Sequence, residues 1–318
     1  MTTKILIGTP LAPHILEDLN KTYLVEAIDS KENRFEQIYE RIADYEAVMI
    51  LGTAFDRECI EKGSKLRIIS NYAVGYDNVD IAFAKEKGIA VTNIPGATTT
   101  PTATYSMSLL LALLRKIVLN DRKIRQGRIE AWGSPAVLGH APEGRTLGIL
   151  GMGRIGQNLA KKALAFEMKI LYHNRNRLSE DIEQACQARY VSFEELLEHA
   201  DVISINAPLN DQNRQIMNAQ AFSRMKSSAF LINTARGGHV DEAALIHALQ
   251  TQSIAGAALD VFPEEPTVNP LFFDMDNVIL SPHNGSGTKE DRRYMFQLAF
   301  ENIVNFLEGR HEHISRVV

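Results

Sequence analysis

Four side chains in the C-terminal half can move protons or hold anions, and each follows a short apolar run. Arg236 stands in Asn233-Thr234-Ala235-Arg236-Gly237-Gly238. Asp260 and Glu265 stand in Leu259-Asp260-Val261-Phe262-Pro263-Glu264-Glu265-Pro266, and His283 in Ser281-Pro282-His283-Asn284-Gly285. An imidazole, with an ordinary pKa of about 6.5, exchanges a proton near neutrality. A carboxylate beside it orients the ring and favours its charged form. A guanidinium offers a planar, two-pronged donor to a carboxylate or phosphate. Taken singly, Arg236 or Glu265 reads as half of a surface ion pair, and His283 as a structural histidine. Together they sit at strand ends with glycine or proline shoulders, and carboxyl ends of strands line the ligand crevice of a doubly wound sheet. The pattern points to one acid–base and anion-binding site.

A second motif lies upstream. Gly151-Met152-Gly153-Arg154-Ile155-Gly156 follows an apolar run over 147–150 and opens a helical stretch over 157–166. In such a turn the first glycine permits the bend, the second lets backbone approach a pyrophosphate, and the third lets helix pack on strand. The helix start adds N–H groups and a positive dipole end. With the next strand also in place at 169–173, Gly151, Gly153, Arg154, Ile155 and Gly156 are expected to bind a dinucleotide. At the end of that strand an NAD site usually places an acid, whereas this chain has His173-Asn174-Arg175-Asn176-Arg177. Asn174 brings no charge to repel a 2′-phosphate, and Arg175 and Arg177 offer forked donors to one. NADP(H) is therefore the favoured cofactor, with NAD(H) the alternative.

These motifs need a scaffold that ends many strands on one edge. Apolar strands are expected over 5–8, 47–51, 68–71 and 90–92, then over 147–150, 170–173, 202–205, 230–233, 257–260 and 278–280, with amphipathic helices between. Continuously apolar strands alternating with helices indicate parallel sheets covered on both faces, here in two α/β units. Between them Pro101 starts a helix, and 106–117 reads as an apolar helix without breakers. An irregular segment over 126–145 carries Trp132 and reads as a surface loop, a subunit-contact arm or a pocket lid. The 318 residues suit two domains. A net charge of −5, from 34 basic and 39 acidic residues, leaves no basic footprint for nucleic acid. The longest apolar run, 109–114, is far below the roughly 20 residues that span a bilayer, so no membrane partner is expected. The N-terminus reads as a strand rather than a signal peptide. Cys59 and Cys186 show neither a pairing nor a metal pattern, which suits the cytoplasm.

The sequence resembles the D-isomer-specific 2-hydroxyacid dehydrogenases over nearly its whole length. The resemblance runs through Ser70-Asn71-Tyr72-Ala73-Val74-Gly75-Tyr76-Asp77-Asn78-Val79-Asp80, the glycine turn, and 233–237, 260–266 and 282–288. Through Tyr172-His173-Asn174-Arg175 it is most similar to the glyoxylate and hydroxypyruvate reductases of that family. The resemblance implies reduction of a short 2-keto acid to the D-2-hydroxy acid. Arg236 would hold the carboxylate and polarise the carbonyl, His283 would donate the proton, and Glu265 would orient His283. Backbone N–H groups of Val74 and Gly75 would cradle the carboxylate, and Asp260 would anchor the nicotinamide carboxamide. Thr104, Ala207, Pro208, Thr234, Ala235 and Gly285 would touch the cofactor, with Thr104 alternatively a plain helix cap. The fold implied is two doubly wound, Rossmann-like parallel-sheet domains. The first is flavodoxin-like and discontinuous (1–98 and 286–318) and binds substrate; the second (99–285) binds the nucleotide. Catalysis would fall in the cleft between them, in a homodimer joined through the Trp132 segment. Asn284 departs from the family's usual aliphatic residue, and would contact substrate hydroxyls or cap the final helix. A 2-ketogluconate-type sugar-acid reductase, an NAD-linked D-lactate-type dehydrogenase and a dinucleotide sensor like the C-terminal binding protein corepressors are the alternative readings.

Overall fold

A computed structural model describes residues 3–30, 32–128, 131 and 133–318, and Trp132 lies outside the described residues. The chain forms two compact units, Met1–Thr98 with Thr288–Val318, and Thr99–Gly287.

The first unit is a five-stranded sheet of β1 (Lys4–Ile7), β2 (Leu24–Ala27), β3 (Ala47–Ile50), β4 (Ile68–Asn71) and β5 (Ala90–Thr92). All pairings are parallel, in the order β2-β1-β3-β4-β5. The two-residue period of a strand splits its apolar residues between two cores. Leu6, Val48, Ile50 and Ile69 pack on one face with Ile38 and Ile60. Ile5, Ile7, Met49 and Ile68 pack on the other against Met295, Ala299, Phe300 and Ile303 of helix Lys289–Leu307. That C-terminal helix is pinned where Ser70 Oγ donates to Ala299 O at 2.7 Å.

The second unit is a seven-stranded sheet of β6 (Thr146–Leu150), β7 (Lys169–His173), β8 (Ala188–Tyr190), β9 (Val202–Ile205), β10 (Phe230–Asn233), β11 (Gly256–Leu259) and β12 (Val278–Leu280). It is parallel throughout, in the order β12-β11-β10-β9-β6-β7-β8. The winding direction reverses between β6 and β9, the topological switch point where such sheets bind ligands. Register pairs Leu150 with both Ile205 and His173, and Asn233 with Leu259, which pairs with Leu280. The glycine turn, Asn174, Arg236, Asp260 and His283 therefore all leave one edge of this sheet.

Two strands were not anticipated. β2 and β8 are short sheet-edge strands whose residues are partly exposed, so neither shows a continuous apolar run. The helix expected without a break over 106–117 is in fact two, Thr99–Leu114 and Ile117–Arg125, bent by 59°. The cause is tertiary rather than local. His140 N donates to Leu114 O at 2.8 Å, and Lys116 turns the chain with φ 52°. Among the described residues no single helix is long and apolar enough to cross a membrane.

Candidate active site

The glycine turn separates what the fold needs from what it leaves open. Gly151 has φ 97°, and a Cβ there would lie 2.4 Å from Ala207 N. One on Gly156 would lie 2.5 Å from Gly151 O. Both glycines are demanded by the chain's own packing. A Cβ on Gly153 would meet nothing within 4 Å, so that glycine keeps clear a space the protein itself does not use. Helix Arg154–Leu164 starts there, and its first bond is Gln157 N to Gly153 O at 2.9 Å. The N–H groups of Gly153, Arg154, Ile155 and Gly156 have no acceptor among the described residues. Orphan donors at the positive end of a helix dipole, beside open space, fit a dinucleotide pyrophosphate. The other two N–H groups of the turn are satisfied, Gly151 N by His173 O at 3.0 Å and Met152 N by Asn174 Oδ1 at 2.6 Å. Asn174 thus stands where an acid would and braces the turn with its amide oxygen.

Arg175 is exposed and pairs with nothing among the described residues. Arg177 behaves differently from expectation. Its Nε and Nη2 reach Glu183 Oε1 and Oε2 at 2.9 and 2.7 Å, so its fork is already filled by a carboxylate. Arg177, then Tyr172, hold the Glu183 carboxyl down at about 2, against an ordinary 4.5. Thr104 is no helix cap: it lies in the second turn of Thr99–Leu114 and its hydroxyl donates to Thr100 O at 2.9 Å. Ala207 backs onto Gly151, and Pro208 O accepts from Asn213 Nδ2 at 2.8 Å.

At the other end of the edge, His283 Nδ1 meets Glu265 Oε2 at 2.6 Å. A carboxylate acceptor at Nδ1 calls for a proton there, which leaves Nε2 as the nitrogen that gives or takes one. Burial pushes the Glu265 carboxyl up, but the bonds from His283 and Phe262 N and the nearby charges of His283 and Arg236 outweigh it, leaving it below the usual carboxylate range. His283 itself has φ 52°, a left-handed backbone that costs a non-glycine residue about 1–2 kcal/mol. Such a conformation persists only when its surroundings over-determine it, and Asp260 supplies that constraint. Its carboxylate, 1% exposed, accepts Ser281 Oγ at 2.6 Å, Asn284 N at 2.7 Å and Gly285 N at 2.8 Å. Because Ser281 gives its proton to Asp260, Tyr105 OH donates to Ser281 Oγ at 2.5 Å, tying the loop to helix Thr99–Leu114. Three of the carboxylate's roughly four acceptor sites are thus taken by its own chain, and the N–H of Gly285 is taken as well.

Arg236 is set by its own carbonyl, which accepts Asn233 Nδ2 at 2.9 Å and the buried His239 Nδ1 at 3.1 Å. Asn233 Oδ1 accepts Ala235 N at 3.1 Å, while Thr234 Oγ1 bonds Ser106 Oγ at 2.8 Å. Asn284 does not cap the final helix, as one expectation had it, because Thr288 does, accepting Asp291 N at 2.9 Å. In the first unit, Asn71 and Asn93 amides hold the carbonyls of Gly75 and Val74 at 2.5 and 2.9 Å. The N–H groups of Val74 and Gly75 find no acceptor among the described residues, which makes them adjacent donors suited to an anion. The supporting roles of Tyr105, Ser281, Asn233 and His239 escape sequence reasoning: Tyr105 and His239 fall in no chemically suggestive pattern, and Asn233 and Ser281 merely open the Arg236 and His283 motifs.

Comparison with known proteins agrees with this geometry. Residues 107–285 match the family model of the D-isomer specific 2-hydroxyacid dehydrogenase NAD-binding domain. A glyoxylate reductase of Thermococcus litoralis is 42% identical over 315 residues, which is 97% of this chain and 95% of that protein. A crystal structure of a Thermus thermophilus protein superposes with a TM-score of 0.92 at 35% identity, covering 99% of this chain and all of that one. The NADPH-dependent glyoxylate/hydroxypyruvate reductase of Sinorhizobium meliloti, solved with NADP and malonate, gives 0.85 at 31% identity, covering 96% and 94%.

Proposed function

This chain belongs to the D-isomer specific 2-hydroxyacid dehydrogenases, oxidoreductases that act on CH–OH groups, and we propose that it reduces glyoxylate, hydroxypyruvate or a closely related short 2-keto acid with NADPH. The observation that carries the reading is the His283–Glu265 pair on the same sheet edge as a glycine turn whose Gly153 leaves open space beside unclaimed N–H groups. When bound, the nicotinamide supplies the hydride. The protein's own part is to hold, orient and protonate. Gly153, Arg154, Ile155 and Gly156 hold the pyrophosphate through backbone N–H groups. Arg236 clamps the substrate carboxylate and polarises the adjacent carbonyl. His283 Nε2 gives a proton to the carbonyl oxygen, with Glu265 fixing the orientation of the ring through Nδ1. Asp260 positions the His283 loop, and in the five-stranded unit Val74 and Gly75 offer N–H groups to a carboxylate. Arg175, beside the uncharged Asn174, favours the 2′-phosphate of NADP(H) over NAD(H). Steady-state rates over glyoxylate, hydroxypyruvate, pyruvate and 2-ketogluconate, with NADPH and with NADH, test this. The highest kcat/KM should fall on glyoxylate or hydroxypyruvate with NADPH. Best turnover of 2-ketogluconate, equal use of NADH, or tight nucleotide binding without turnover would each sink the corresponding part.

We further infer a homodimer formed through the nucleotide unit. Ile117, Val118, Ile124, Leu138 and Phe273 are all exposed there, an apolar concentration unusual for a monomer's surface. Val118 and Phe273 among them line a groove of about 750 Å³ beside β12, which is lined by none of Arg236, Glu265 or His283. Light scattering on the purified chain should return twice the 35.5 kDa of one chain.

A further inference from the structure

The loop that follows β7 is tied down more tightly than a surface loop needs. Tyr172, fully buried at the end of β7, sends its hydroxyl proton to Glu183 Oε1 at 2.6 Å, and its hydroxyl oxygen accepts Leu178 N at 2.9 Å. Glu183, on helix Glu180–Ala185, takes the bidentate fork of Arg177. Tyr190 OH, from β8, donates to Asn174 O at 3.2 Å, while Asn174 Oδ1 braces Met152 N at 2.6 Å. The loop over 174–178 is therefore fixed at residues 174, 177 and 178. Only Arg175 and Asn176 keep uncommitted, exposed side chains. The charges of Arg177 and Glu183 cancel within their pair, so the outward charge of the loop is that of Arg175 alone.

We propose that Tyr172 and Glu183 are positioning residues for nucleotide selection: by withholding Arg177 and locking the loop backbone, they present Arg175 as the one guanidinium for an adenosine 2′-phosphate. The proposal rests on the NADP(H) reading above. A guanidinium on a prefixed backbone loses less freedom on binding than one on a mobile loop. A carboxylate left without its arginine would in addition repel the phosphate. Neither residue touches the cofactor in this account, and their effect must therefore be confined to the 2′-phosphate.

The test is calorimetric titration of the full chain with adenosine 2′,5′-bisphosphate and with ADP, for wild type, Tyr172→Phe, Glu183→Gln and Arg175→Ala. Tyr172→Phe and Glu183→Gln should each weaken the bisphosphate about fivefold while leaving ADP within about twofold, as expected for loss of pre-organisation rather than of a contact. The KM for NADPH should rise in parallel, with kcat and the KM for NADH unchanged. Glu183→Gln lies at the surface end of the network and keeps the reading available if Tyr172→Phe disturbs the core. Unchanged bisphosphate affinity in both variants, or equal loss for the two nucleotides, overturns the proposal. If Arg175→Ala abolishes the preference for the bisphosphate while the other two variants keep it, the NADP(H) reading stands and the proposal falls. If wild type shows no such preference, or Arg175→Ala leaves it intact, the NADP(H) reading itself falls.

Discussion

Beyond β6, inside the seven-stranded sheet, the backbone is shaped by space that is missing: Gly151 presses on Ala207 and Gly156 on Gly151, at distances no Cβ tolerates. Three and four strands away, at β11 and β12, the backbone is shaped by bonds. Asp260 gathers one hydroxyl and two N–H groups from residues 281–285 and holds His283 at a left-handed φ it would not choose alone. Both regions present donors at the same sheet edge, but they would fail differently. Steric shaping fails by unfolding, because an added atom has nowhere to go. A polar clamp fails by misplacing a side chain in a protein that still folds.

Substitutions can break or sharpen this contrast. The largest effect should come from His283→Gln, which removes the imidazole proposed to donate the proton and should lower kcat by about 10²–10⁴-fold with dinucleotide affinity unchanged; near-normal turnover would end the acid assignment. Next is Asp260→Asn, which keeps the shape but turns an NH₂ toward donors that now face a carboxylate. We expect kcat to fall about 10–100-fold, as for other supporting groups one bond from the chemistry, with only a modest Tm loss; wild-type kcat would show that the clamp does not hold His283. Gly156→Ala should reverse that balance, destabilising the nucleotide unit by about 1–3 kcal/mol, visible in the melting curve before any kinetics. Gly153→Ala is its control. The melting curve should shift by less than about 1 kcal/mol, the scale of a helix N-cap change, while NADPH binding measured by fluorescence weakens. Equal melting losses for the two alanines would erase the distinction between a structural and a ligand-facing glycine.

The smallest effect concerns His239, buried under Arg236, where burial holds the imidazole below its ordinary 6.5. Between that lowered value and 6.5 the unfolded chain binds a proton the folded one refuses, so stability is full above 6.5 and declines as pH falls. A melting series from about pH 7.5 to 5.5 should show this decline, at most about 1.4 kcal/mol per pH unit from one such group. His239→Leu should flatten it; an unchanged slope would show that this ring does not set it.

The same contrast explains what could be read from the chain beforehand. The glycine turn was legible because sterics restrict the residue type, and a restricted type is visible in a sequence. The placement of Arg236, Glu265 and His283 was legible because each follows an apolar run that ends where the sheet ends. The Asp260 clamp was not, since Tyr105 and Ser281 are unremarkable residues 176 positions apart whose meeting depends on how helix Thr99–Leu114 crosses the sheet. Arg177 was misjudged for a related reason. That Glu183 would claim it depends on where helix Glu180–Ala185 sits, which charge patterning alone does not give. β2, β8 and the bend at Lys116 were missed because edge strands need no continuous apolar run and the bend is imposed by a distant backbone contact.

The return of helix Lys289–Leu307 to the five-stranded sheet also sets an order of events during synthesis. The nucleotide unit is one uninterrupted stretch, Thr99–Gly287, and all of it has been made before that helix is begun. The five strands that precede it are made first, yet one of their apolar faces stays uncovered until Met295, Ala299, Phe300 and Ile303 exist. Even then β5 awaits Val317, whose N–H donates to Val91 O at 2.7 Å. A ribosome stalled anywhere between residues 100 and 290 would therefore hold a nascent chain with Ile5, Ile7 and Ile68 open to solvent, a surface for chaperones or for aggregation.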